Sequence, residues 1–188
     1  MVVRGPGQST AATGTPAGGR ESSGPGQPIP TVARVTLSAG GTPSSPVVWQ
    51  IRLGRDGNRN AVLLGYEAYL GTTVRLGEEP DPDDVALAQV ALDPQLRLLR
   101  SAFAGNITAG TSRRGRVLAT ARVAGLRGSQ AIVVSCVNTS AQRLFRADGG
   151  LMAHWHGGLS VSQVNMRRDD GRWKVYLLAA LPASRCHA

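Results

Sequence analysis

The sequence predicts an α+β domain in which N-terminal helices pack on a curved antiparallel sheet of about four strands. Three observations carry this. Apolar residues recur at helical spacing between Ala61 and Gly110. After Arg113 the period changes to two. Finally, Asp170-Gly171 joins two alternating runs between Leu159 and Leu181, the turn chemistry of an antiparallel hairpin. Helices followed by a run of strands make a domain whose sheet is covered on one face.

The first 45 residues are low in complexity, with Gly-Pro-Gly twice and many Ser, Thr and Ala. Such a stretch cannot bury enough apolar surface to offset its ordering entropy, so residues 1–45 read as a disordered Gly/Pro/Ser-rich tether and 46–188 as one domain. Thr31–Leu37 and Val47–Leu53 read either as short strands or as extended tether, with Trp49, Ile51 and Leu53 alternating with Gln50 and Arg52. Asn60 is the expected N-cap of a helix over Ala61–Leu76, whose apolar stripe is Leu63, Tyr66, Leu70 and Val74. The acidic run from Glu78 to Asp84 precedes Val85–Val90, where carboxylates complement a helix dipole. Asp93-Pro94 starts a third helix that buries Leu96, Leu99 and Phe103 and ends near Gly110. Val117–Ala124 and Ala131–Asn138 are strands joined by a turn at Gly125–Gly128, and 139–158 is a polar connection.

With 21 basic against 12 acidic residues, the net charge of +9 raises nucleic acid or an anionic surface as a partner. Lys174 is the only lysine, however, and abundant Arg with Ala, Gly and Pro marks a GC-rich coding bias. The arginines are scattered, pairing only at Arg113-Arg114 and Arg167-Arg168, so nucleic acid is not the expected partner. No apolar run approaches the ~18 residues of a membrane span, and Met1-Val2-Val3-Arg4 leads straight into Gly, Pro, Ser and Thr rather than a signal peptide. Two expectations stay open: a cytoplasmic protein, or a membrane association made only through an anchor upstream.

The chemistry-bearing residues form no complete set. His154-x-His156 could place two imidazoles on one side of a strand, but two ligands do not make a metal site. Ser135 and Ser140 lack a partnered His and acid. The strands contain no carboxylate, Asp148, Asp169 and Asp170 falling in loops and turns. No enzyme activity, metal or cofactor is expected.

The order of elements resembles the nuclear-transport-factor-2-like, or SnoaL-like, cone fold. More narrowly, the chain is similar to actinobacterial secreted or lipid-anchored proteins of unknown function. The residues that carry the likeness are Tyr66-Glu67-Ala68-Tyr69, Asp81-Pro82-Asp83, the helix from Pro94, Val134-Ser135-Cys136-Val137-Asn138, Phe145-Arg146-Ala147-Asp148-Gly149, Asp170-Gly171-Arg172-Trp173-Lys174-Val175 and Ser184-Arg185-Cys186. In that group the cysteines sit in an Asp-Cys-x-Asp pattern; here Ser135 and Asn138 stand in those places. The resemblance implies a pocket between sheet and long helix, with Tyr66, Tyr69, Phe103, Trp155 and Trp173 as candidate lining residues. Enzymes on this scaffold place an Asp, or an Asp and His, in that pocket with a Tyr as donor.

Cys136 and Cys186 are the only cysteines. Either they bridge, closing a loop worth about 3 to 4 kcal/mol in the chain-entropy model, or they are a buried thiol and a frayed terminal one. A bridge would place the domain in an oxidising compartment. The expected function is therefore a non-enzymatic extracytoplasmic domain, secreted or membrane-tethered, that binds an unknown protein partner or self-associates. The cone fold also forms scaffold subunits of conjugative secretion systems, a parallel at the level of fold. The alternatives are a small-molecule-binding or enzymatic pocket protein and a basic nucleic-acid-binding protein. The last needs Arg113, Arg114, Arg116, Arg122, Arg167 and Arg168 on one continuous face.

Overall fold

The computed structural model describes Thr42 and residues 45–51, 53–155 and 157–187. The tether over residues 1–45 and the strand at Thr31–Leu37 fall outside these, except at Thr42 and Ser45. Both of those are tied to the domain: the Thr42 hydroxyl donates to the Glu78 carboxylate, and Ser45 is fully buried, its Oγ accepting from Gly115 N–H at 3.2 Å.

Strand β1 (Val47–Ile51) is followed by α1 (Gly57–Glu78), α2 (Val85–Val90) and α3 (Gln95–Thr108). Then come β2 (Thr111–Arg114), β3 (Val117–Arg127), β4 (Gln130–Asn138), β5 (Arg143–Arg146), β6 (Leu159–Asp169) and β7 (Arg172–Leu181), closed by a 3-10 turn at Ala183–His187. The main sheet has the order β1-β3-β4-β6-β7. It therefore has five strands, not about four, and it is mixed, because β1 runs parallel to β3. The fifth strand is the Trp49 segment, where the sequence left strand and tether both open. Trp49 is 1% exposed, and burying so large a ring fixes the segment as an edge strand rather than loose chain. The connection 139–158 also hides β5, which pairs with β2 as a separate two-stranded ribbon.

Helix α1 starts four residues before the predicted boundary, at Gly57 rather than Ala61. Asp56 is the cap, its carboxylate accepting from the N–H groups of Asn58 (2.9 Å) and Arg59 (3.2 Å). Asn60 instead clamps the incoming loop, accepting from Gly54 N–H and donating to Gly54 O. Asp84 caps α2 through Ala86 N–H at 2.7 Å, and Asp93 accepts from Arg97 N–H in the first turn of α3. Asp170 and Gly171 take φ of 46° and 78°, the positive pair a two-residue hairpin turn demands.

All three helices lie on one side of the sheet. From that inner face Val47, Trp49 and Ile51 of β1, Val117 and Ala119 of β3, Ala131 and Val133 of β4, Val164 and Met166 of β6, and Trp173 and Val175 of β7 meet α1. Gly65 lets α1 press onto β7: a Cβ there would stand 2.6 Å from the Trp173 carbonyl oxygen. Phe103, Leu76 and Leu87 form a smaller cluster among the helices. On the opposite, outer face no α-helix packs among the described residues; the 3-10 turn lies against β6.

Candidate functional site

The implied pocket would lie between α1 and the sheet, where Tyr66 and Tyr69 are each paired with another buried side chain. The Tyr66 hydroxyl donates to Ser135 Oγ on β4 at 2.8 Å, and Gln95 Nε2 on α3 donates to the Tyr69 hydroxyl at 2.9 Å. The two tyrosine rings are stacked at 6.1 Å, and Trp49 meets Tyr66 edge-on at 5.7 Å. Spacing of i and i+3 on α1 puts both phenols over the sheet, while alternation on β4 turns Ser135 inward with Ala131 and Val133. Burial pushes the Tyr66 phenol up to about 12 and raises Tyr69 as well, so both remain neutral donors and acceptors at any physiological pH.

Of the five candidate lining residues, the structure brings together Tyr66, Tyr69 and Trp173, which share the main core. It does not bring in the other two. Phe103 belongs to the smaller cluster, because α3 turns it toward α1 and α2 rather than toward the sheet. Trp155 is half-buried in the loop after Leu151, beyond the end of the sheet.

Sequence reasoning passed over Glu67. It is 3% exposed, its Oε1 has no hydrogen-bond partner, and burial raises its carboxyl above the ordinary carboxylate range. No hydrogen bond joins it to Tyr66, Tyr69, Ser135 or Gln95. The signal was a glutamate among Leu63, Leu70 and Val74 on the apolar side of α1. Trp49 Nε1 is a second buried group without a partner. Among the described residues no hydrogen bond aligns a base or nucleophile on this carboxyl.

His154 is exposed, and His156 lies outside the described residues. Among the described residues no three His, Cys, Asp or Glu side chains cluster to hold a metal, and no helix is long and apolar enough to cross a membrane. The six arginines proposed as one basic face are divided. Arg113 and Arg114 lie on the β2–β5 ribbon, while Arg167 and Arg168 lie at the β6–β7 turn, the length of β3 away or about 30 Å.

The outer face of the sheet is built differently. Register sets Gly125, Ile132, Asn165 and Leu177 in one row, and Arg122, Val134, Gln163 and Ala179 in the next. Ile132 and Leu177 are 39% and 37% exposed, and Gln163 donates to Asn165 Oδ1 along β6. One row further on, Cys136 faces Val161, and here the disulfide Cys136–Cys186 (Cα–Cα 5.7 Å) holds the 3-10 turn onto the sheet. Val161, an outward residue, is only 4% exposed beneath it.

No family model and no curated protein matches the chain in sequence. Among solved structures it is similar to the intermembrane-space region of the chloroplast protein ARC6, with 14% identity and a TM-score of 0.51 over 68% of this chain and 98% of that one. The association domain of C. elegans CaMKII and a protein of unknown function with a cystatin-like fold from Nostoc punctiforme each align at 13% identity and TM-score 0.41, over 68% of this chain and 100% and 93% of theirs. At the level shown by the first of these, the likeness is one of fold: helices on one face of a strongly paired sheet.

Proposed function

We propose that the chain is a non-enzymatic extracytoplasmic domain that associates with protein, a second copy included, through the outer face of its sheet. One observation supports this above others. On the inner face Tyr66 and Tyr69 are hydrogen-bonded to Ser135 and Gln95, whereas two outer rows from β3 to β7 present Ile132, Val134, Leu177 and Ala179 with one charged side chain, Arg122. A half-apolar surface with a single charge, carried on four paired strands, has the composition of an interaction patch. The disulfide supports an oxidising compartment. The neighbours include an intermembrane-space region and an association domain, which accords with such a role.

The test is sedimentation of the oxidised protein against an Ile132→Glu/Leu177→Glu variant. The wild type is expected to self-associate with concentration, or to co-sediment with envelope protein from an exporting host. The variant should lose this while keeping its thermal stability to within about 0.5 kcal/mol. A monomer that binds nothing at the sheet, or a small ligand that raises the melting temperature, would overturn the reading.

A further inference from the structure

The two edges of the main sheet are not alike. On β1, Val47, Trp49 and Ile51 are at most 2% exposed, whereas on β7 Leu177, Ala179 and Ala180 are all exposed. Strand β7 is itself divided. Its first half is closed to a further strand. Arg172 and Lys174 place charge on it, Leu92 N–H of the α2–α3 link donates to the Val175 carbonyl at 2.9 Å, and Tyr176 forms a bulge against β6. Charge, cover and a bulge are the devices by which edge strands ordinarily avoid pairing. The second half, from Leu177 to Leu181, has none of them. It carries no charge and no proline, and among the described residues nothing pairs with its open side. The chain beyond Pro182 does not cover it, since the 3-10 turn lies against β6 and is tied to Cys136 on β4.

Register tells which backbone groups are open. Asp169 and Arg172 close the two-residue turn as a hydrogen-bonded pair, so alternation turns Val175 away from β6, in accord with its bond to Leu92. The extra residue at Tyr176 shifts the alternation, and the Leu177 carbonyl faces β6, where it accepts from Asn165 Nδ2 at 3.4 Å. Leu178 and Ala180 are therefore the residues whose N–H and C=O groups point outward.

The geometry points to this edge as the place where a second copy adds its own β7, antiparallel, across a two-fold axis at Ala179. The pairing is self-complementary. Leu178 exchanges both backbone hydrogen bonds with Ala180 of the second copy, and Ala180 does the same with Leu178. Ala179 meets its own counterpart in the close, non-hydrogen-bonded position, where Cα atoms stand ~4.5 Å apart and a small side chain fits. Leu177 comes opposite Leu181. The open stretch is bounded by the link at Val175 and by Pro182, so a strand of its own length fills it. Two five-stranded sheets become one continuous sheet, and because the contact is isologous the assembly closes at two. The inference rests on the reading of the chain as an associating domain. Leu177 and Ala179 also belong to the outer rows, but the edge contact is made by backbone groups rather than by the outer face.

Two substitutions separate the contacts. Ile132→Glu charges the outer face on β4, two strands from the edge. Ala180→Pro removes an outward N–H, which an edge strand tolerates. In sedimentation, Ile132→Glu should still dimerise, and equally well at about 0.05 and 0.5 M salt, because the edge is uncharged. Ile132→Glu/Ala180→Pro should dimerise about tenfold more weakly or worse, with its melting temperature kept to within about 2 °C. In Ile132→Glu, amide exchange at Leu178 and Ala180 should slow about tenfold as monomer becomes dimer, while Leu177 and Ala179 stay protected throughout. Dimers that survive Ala180→Pro, or Leu178 and Ala180 amides that exchange equally fast at every concentration, would overturn the inference. If Ile132→Glu alone abolishes association, the edge contact falls and the outer-face reading stands. If Ile132→Glu changes nothing and Ala180→Pro abolishes association, the edge contact stands and the outer-face reading falls. Protection of the two amides only on adding envelope protein would give the edge to a foreign strand and overturn the role of the second copy.

Discussion

The two faces of the sheet are made by the same strands and obey opposite rules. On the inner face the large side chains meet in pairs: Tyr66 with Ser135, Tyr69 with Gln95, Trp49 against Tyr66. On the outer face Ile132 and Leu177 are more than a third exposed, and among the described residues a short turn held by a disulfide covers Val161. The contrast also separates stability from interaction, since changes inside should alter folding and changes outside should alter association.

That separation is open to attack. The largest effect is expected from Cys136→Ser/Cys186→Ser, the one covalent tie on the outer face. Opening a loop with a sequence separation of 50 should cost about 3 to 4 kcal/mol in a denaturant titration. Were the loss negligible, the turn would be a passive cover. Next is Tyr66→Phe, which leaves the Ser135 hydroxyl buried without its donor and should cost about 1 to 2 kcal/mol. Adding Ser135→Ala should recover part of that loss, and an additive pair would break the claim that the two satisfy each other.

The smallest effect is expected from Glu67→Gln. The folded carboxyl titrates above its unfolded value, so the native state holds more protons in between and stability falls as pH rises through that window. Below the ordinary value of 4.5 no penalty applies. The variant should therefore be more stable than wild type at neutral pH, with the gain vanishing in acid. A gain independent of pH would point to packing rather than charge.

Much of the fold was legible because local signals agreed with tertiary demand. Asp170-Gly171, the acidic run before Val85 and the alternation from Val117 onward each specify their element within a few residues. What escaped depended on partners distant in sequence. β1 has five residues, and only its parallel pairing with β3 distinguishes it from linker. β5 has four, and its mate β2 precedes it by about thirty positions in a stretch read as a polar connection. Of the candidate site, Tyr66 lies on the apolar stripe that helical spacing gives, and Tyr69 is buried beside it. Phe103 was drawn into the same pocket because a helical stripe gives a direction without naming what it faces. Glu67 was overlooked because a glutamate at helical spacing ordinarily points to water.

The bridge between Cys136 and Cys186 turns the last part of the chain into a covalent ring that contains β5, β6 and β7. A single cleavage anywhere inside that ring, such as at the exposed Leu151 or His154, releases nothing, because both pieces stay linked through β4. The same nick becomes severe on reduction. It then frees a fragment carrying two of the five main strands together with Val164, Met166, Trp173 and Val175, and with them the floor on which α1 rests.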